Sequence, residues 1–487
     1  MPLWYLAARA LDQGWGYVVA EVAQARTLTL IRRSLMLAAA VTCLCMLIGT
    51  SAAWLVVRTD LPLRRLWHVL LTLPLAVPSY VSAYLWLSWR RSIAGFAGAV
   101  LVLTLASYPY VYLPVTAALR RLDPAQEEVA RALGHGSARV FLRVTLRQVL
   151  PAVSAGALLA ALYVLSDFGA VGTMRYEVFT WTIYAAYQAG FSFTRAAILA
   201  VVLVVVAAVL VTAEARTRGS RSRGRLGSGS PRPQPPIKLG LARYGAFGLC
   251  AAVVASAVGF PAGSLAFWLR RGLARGVDWA ELFDAARATL YVGALGATVT
   301  MVLAVPVGVL AARHRTLAVR AIERSTYVAH AMPGVVIGMA MVYAGVVVLF
   351  PWYQKLPLLL LAYAVLFLPL GVGVVRASVE QAPPVLEDIG RSLGRSHGAV
   401  LARITLPLAA PGVLAGTALV ALTCMKELPA TLMLRPAGMD TLATELWQYT
   451  SISAYADAAP FALALVGFGA LPALVLTVSL RRQEVER

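Results

Sequence analysis

Runs of about 18–25 residues with almost no charge recur along this chain, and a helix needs about that length to cross the hydrocarbon of a bilayer. The clearest cover 34–57, 196–213, 289–312 and 461–480. Lipid holds no water to satisfy backbone amides and carbonyls, so each run must close its own hydrogen bonds as a helix. The fold class follows: an all-α, polytopic membrane helix bundle. Composition agrees, since only 13% of the 487 residues are charged and 60% are hydrophobic, against about 25% charged in soluble domains.

Eleven spans are expected. Five fall in the first half, at about 34–57, 67–88, 93–117, 149–166 and 196–214. Six fall in the second, at about 241–263, 288–312, 326–350, 356–375, 410–426 and 459–480. Between the two sets, 216–240 is rich in Arg, Gly, Ser and Pro with no apolar period, the composition of a flexible tether. The expected organisation is therefore a first transmembrane domain at 1–215, a cytoplasmic linker at 216–240 and a second transmembrane domain at 241–487.

The net charge of +21 belongs to topology. With the linker cytoplasmic, most Lys and Arg fall on the inner side, although Arg90-Arg91 and Arg270-Arg271 fall outside. Basic residues placed between apolar runs give no reason to expect nucleic acid; the Arg-rich linker would at most meet anionic lipid. Cys43, Cys45, Cys250 and Cys424 lack metal-ligand spacing, and Cys43-x-Cys45 lies in an apolar run where small apolar packing is the simpler reading. No metal site is expected.

The chain repeats itself. Residues 127–156 align without a gap on 387–416, at an offset of 260, with twelve of thirty positions identical. Shared membrane composition would match Leu, Val and Ala; it would not readily match Glu127, Arg131, Gly134, Arg143, Thr145 and Pro151 in register. Two echoes accompany this: Val77-Pro78 with Met332-Pro333 at offset 255, and 165–170 with 425–430 at offset 260. Six spans separate the long repeat segments, so both face the same side and the halves are parallel repeats. A substrate path would lie between them.

Each repeat segment starts as a short helix outside the membrane. Glu127 and Glu128 sit at its N-terminus, where the helix dipole favours acids, and Gly134 can end it with a positive φ. Glu387, Asp388 and Gly394 match them. In the second half the acids and Gly394 are followed by Ile404-Thr405-Leu406-Pro407; in the first, Glu128, Ala130 and Gly134 are followed by Val144-Thr145-Leu146. On these residues the chain resembles the permeases of binding-protein-dependent ABC importers. It departs from their pattern at Arg147, Asp388 and Gly390.

The resemblance covers nearly the whole chain. It implies two MetI-like (type I importer) domains, with the two loops as coupling helices seated in clefts of an ATPase. It implies two copies of that ATPase, carrying ATP and magnesium, and a periplasmic substrate-binding protein. The permease itself would be a multi-pass protein of the bacterial inner membrane, neither an enzyme nor a cofactor binder. The fused form, with Asp167-Phe168-Gly169 in one half and 426–432 with Leu434-Arg435-Pro436 in the other, looks like iron(III) transport permeases; thiamine and phosphonate permeases are similar. No Gly-x-x-x-x-Gly-Lys-Ser/Thr occurs, so no phosphate loop of that type is expected in this chain.

Asp167 and Glu427 are candidates for the substrate pathway. They hold equivalent positions just past a span, and a carboxylate near membrane depth is a functional candidate by default. Hard oxygen ligands suit a hard cation; the simpler reading is a helix-end carboxylate, with Lys426 beside Glu427. Pro78 and Pro333 read as gating kinks or as tolerated bends. The first half lacks a counterpart to the span at 241–263; residues 1–10 look like its last turns, which suggests a start codon upstream. An ion-coupled secondary transporter predicts ionisable residues at span centres, and these centres are nearly free of them. A membrane-bound enzyme predicts a nucleophile, metal or cofactor motif, and none is found.

Overall fold

A computed structural model describes residues 2–122, 125–188, 193–218, 236–314, 316–330 and 332–485. Positions 219–235 of the expected linker lie outside the described residues. Among the described residues the chain is helical, and its strand-like pairing is confined to one bridge between Thr59 and Ile237.

Eight helices are long and apolar enough to cross a membrane: Ala25–Arg58, Phe96–Arg120, Phe141–Ser166, Phe193–Ala213, Ala242–Arg275, Trp279–Arg313, Leu356–Gln381 and His397–Lys426. Each covers one expected span. Of the other three expected spans, two are broken and the third lies within a single longer helix. The one at 67–88 is broken into Arg64–Ala76 and Ser79–Trp89, bent by 92°. The cause is local: Pro78 offers no amide to continue the helix, and it holds Val77 extended, at φ −94° and ψ 123°. The one at 326–350 breaks in the same place, where Pro333 at φ −59° and ψ 146° opens the short helix Gly334–Val347. The last, at 459–480, belongs to Tyr455–Val485, whose described apolar stretch is Tyr455–Ala470.

The chain packs as two compact units. One comprises Val19–Thr182 with Val202–Phe267, so it holds the first-half core together with most of the helix that opens the second half. Within it Phe260 stacks on Trp86 with ring centroids 4.0 Å apart, and the Trp89 indole donates to Ser264 Oγ at 2.7 Å. The other unit comprises Met1–Val18, Ile183–Val201 and Trp268–Arg487. Within it the helix Pro2–Leu11 buries Leu6 and Ala10, and Tyr5 meets Tyr343 of Gly334–Val347 edge to face.

Small residues set the helix contacts inside each unit, as expected where lipid supplies no hydrophobic drive between helices. A Cβ on Gly156 would meet the Tyr110 carbonyl oxygen and Val111 Cα at 2.6 Å; a Cβ on the equivalent Gly416 would meet Val374 Cγ1 at 2.2 Å. Their identity in the repeat therefore has a packing cause. Gly156 faces backbone, which cannot give way as a flexible side chain does. Gly156→Ala is accordingly expected to destabilise the purified protein by about 1–3 kcal/mol, read as a lowered thermal midpoint in detergent.

Candidate functional site

The two repeat segments have the same local build. Helix Ala125–Ala132 carries Glu127 and Glu128 in its first turn; helix Pro384–Ser392 carries Glu387 there, with Asp388 just beyond it. Each is closed by a glycine with positive φ: +81° at Gly134 and +79° at Gly394. The closing hydrogen bonds also match. The amide of His135 reaches the Ala130 carbonyl at 3.1 Å, and that of Arg395 reaches Gly390 at 3.2 Å, the long bond of a glycine-terminated helix. A π-helical turn follows in each, Phe141–Thr145 and Leu401–Thr405, and runs into the long helices Leu146–Ser166 and Leu406–Lys426.

Gly390, where the first half has Ala130, has a packing explanation. A Cβ on Gly390 would lie 2.7 Å from Ile404 Cδ1. The first half pairs Ala130 with the shorter Val144, so one methylene has changed sides.

The neighbouring acids in each helix have opposite surroundings. Glu127 is buried, with 5% of its side chain exposed, and receives the guanidinium of Arg58. It also accepts from Thr145 Oγ1 at 2.7 Å and lies 3.5 Å from Arg131. Glu387 has the equivalent set: Arg313 at 2.7 Å and Thr405 Oγ1 at 2.9 Å. Glu128 is exposed, as is Asp388, which pairs with Arg391. Beside these exposed acids stand apolar side chains that none of the described residues covers. Leu133 is 73% exposed and Leu393 75%, with Val129 and Ile389 exposed one turn earlier. Arg58 and Arg313 escaped the sequence reading. Each is the last residue of a long helix, far from its partner along the chain.

Asp167 and Glu427 also match in role. Each ends a long helix and accepts at the N-terminus of the short helix that follows. Asp167 Oδ1 accepts from the amides of Ala170 and Val171 at 2.9 and 3.2 Å. Glu427 accepts from those of Ala430 and Thr431, both at 3.0 Å. Ser79 Oγ donates to the second oxygen of Asp167. The matching position in the other half is Gly334, where a Cβ would lie 2.7 Å from Glu427 Oε1. The shorter acid thus comes with the larger neighbour, and the longer acid with none.

A further acidic cavity of about 640 Å³ was not foreseen. Glu281, Asp284, Asp440 and Glu445 line it at the start of helix Trp279–Arg313. Tyr449 donates to Glu281 at 2.8 Å. Burial, and next the Glu281 carboxylate, push the Glu445 carboxyl up to about 7. Among the described residues no cluster of three or more His, Cys, Asp and Glu side chains is arranged to hold a metal ion.

The chain belongs to the family of binding-protein-dependent transport system inner membrane components, whose sequence pattern matches residues 45–215 and again 304–484. Each match contains one of the two repeat segments. The protein is therefore a multi-pass membrane permease with two family domains in one chain. It is 34% identical over 482 residues to the Fe(3+)-transport system permease protein FbpB 2 of Haemophilus influenzae, covering 98% of this chain and 95% of that one. It is 36% identical over 141 residues to the molybdenum transport system permease protein ModB of Escherichia coli, covering 26% of this chain and 62% of that one. A solved structure of the MetNI methionine ABC transporter in inward-facing conformations matches 42% of this chain and 95% of its own at 19% identity, with a TM-score of 0.34 too low to bear on the fold.

Gly134 and Gly394 have open space around them, so only their φ opposes a side chain. Gly134→Ala and Gly394→Ala are each expected to cost about 1–2 kcal/mol. The loss should appear as faster hydrogen exchange confined to the coupling segment.

Proposed function

We propose that this chain is the permease of an ATP-driven importer that passes ferric iron from a periplasmic binding protein to the cytoplasm. The observation that carries the iron assignment is the extent of the match to an iron(III) permease, 98% of this chain and 95% of that relative. The molybdenum permease shares only 141 residues with it. Uptake of ferric iron by proteoliposomes holding the permease, its ATPase and its binding protein tests the assignment; uptake of molybdate in place of iron would overturn it.

The mechanism we infer places the energy source on a separate chain. Two ATPase copies, carrying ATP and magnesium, would each receive one coupling helix. The exposed pairs Val129–Leu133 and Ile389–Leu393 suit insertion into an apolar cleft, because i and i+4 lie on one helix face. Glu128 and Asp388 would flank that contact. Leu133→Asp with Leu393→Asp should abolish ATPase co-purification, while the thermal midpoint of the permease alone shifts little, by about 0.5 kcal/mol or less for exposed positions.

Asp167 and Glu427 are proposed to line the substrate route as well as to cap their helices. A carboxylate offers about four lone-pair sites, and the helix amides and hydroxyls leave room for a passing cation. Asp167→Asn with Glu427→Gln keeps an acceptor oxygen at each cap and removes the charge. Iron uptake is then expected to fall roughly ten-fold or more with ATPase co-purification intact. Uptake at the wild-type rate would leave them as caps alone.

A further inference from the structure

We propose that Arg58–Glu127–Thr145 and Arg313–Glu387–Thr405 are two transmission clamps, which make each coupling helix move as one body with two membrane helices. This rests on the reading that the coupling helices dock an ATPase.

Each coupling helix is held loosely by its own backbone. It is only eight or nine residues long. A left-handed glycine follows it in both halves, and in the second half Ala382 and Pro383 precede it in extended backbone. A helix between non-helical joints would swivel under a push from an ATPase, and the push would be absorbed at the joints.

The inward carboxylate, buried at Glu127 and half-buried at Glu387, closes that freedom. It lies on the inner face of the coupling helix, opposite the exposed apolar row. From one side Arg58, the last residue of helix Ala25–Arg58, pairs with it. From the other, Thr145 donates to it from the end of the π-helical turn that leads into Leu146–Ser166. The second half repeats each element: Arg313 ends helix Trp279–Arg313, and Thr405 ends the turn leading into Leu406–Lys426. Arg313 also donates to the Ala382 carbonyl at 3.0 Å, which ties down the entry to its coupling helix.

Stability alone does not account for this choice of residues. A buried ion pair is a poor source of net stability, and apolar residues of similar volume often do as well. What the pair supplies is one defined arrangement, because a guanidinium, a carboxylate and a hydroxyl satisfy one another in few geometries. The clamp also occurs in both halves although the arginines lie outside the gapless repeat. The departures at Arg147, Asp388 and Gly390 leave it untouched, so the two halves are predicted to transmit equally.

The test uses the full chain with its ATPase and iron-loaded binding protein in proteoliposomes. Glu127→Gln with Glu387→Gln should retain the ATPase at the wild-type ratio and keep hydrolysing ATP. Iron taken up per ATP should fall roughly ten-fold. Thr145→Val with Thr405→Val, which keeps both ion pairs, guards against misfolding and should lower the same ratio by a smaller factor. Arg58→Glu with Glu127→Arg should restore the first clamp when Glu387 is intact, because a threonine hydroxyl can accept as well as donate. Wild-type iron per ATP in the Gln and Val variants would overturn the proposal, as would a reversed pair no better than Glu127→Gln alone. A wild-type chain that neither retains an ATPase nor takes up iron would instead sink the underlying functional reading.

Discussion

Hydrocarbon offers a backbone amide no partner, and every other feature of this protein is arranged around that fact. Long helices satisfy their own backbones. Where a helix must break, the freed groups need replacements from the chain. Asp167 and Glu427 are such replacements: each receives two amides at the start of a short helix. Pro78 and Pro333 make breaks at points where the amide would otherwise continue the helix. The same constraint places the ionic chemistry at helix ends. Arg58 and Arg313 each close a long helix, and there they meet the acids of the coupling segments.

The coupling segments divide their two faces between different tasks. The inner face is ionic and buried; the outer face is apolar and exposed. This is the reverse of what a short solvated helix would show, and it is the observation on which the proposed docking of this segment rests. Removing one partner of a buried pair such as Arg58–Glu127 leaves an unpaired charge, at a cost of about 3–5 kcal/mol. A leucine such as Leu133 at the exposed face carries no such cost. The residues that hold the fold are thereby separated from the exposed apolar ones on a helix of eight residues.

The two halves resemble each other in geometry more than in sequence. Two exchanges show how. Ala130 with Val144 corresponds to Gly390 with Ile404, and Asp167 with Ser79 corresponds to Glu427 with Gly334. The clamps share residue types, but their arginines are related by an offset of 255 while their acids and threonines are related by 260. In both exchanges the combined size of a pair is roughly kept while its members differ, as expected of close-packed interiors in which a single methylene is felt.

The sequence by itself determined the membrane class, the existence of eight of the spans as single helices, the two short repeated helices and their glycine ends. These are local properties: apolar length, a dipole-favoured acid and a residue that tolerates positive φ are all legible along the chain. It also marked Thr145 as a repeated position without a reason, and gave Glu127 no reason beyond the helix dipole. Only the tertiary structure decided that Glu127 and Glu387 face inward while Glu128 and Asp388 face out. It also bent the span expected at 67–88, and it assigned Val202–Phe267 to the unit that holds the first-half core. Arg58 and Glu127 stand 69 residues apart, and no periodicity connects residues at that distance. Their pairing depends on where helix packing brings two helix ends together; Gly49, in the helix that ends at Arg58, lies so close to Val111 that an added Cβ would stand 2.8 Å from the Val111 Cβ.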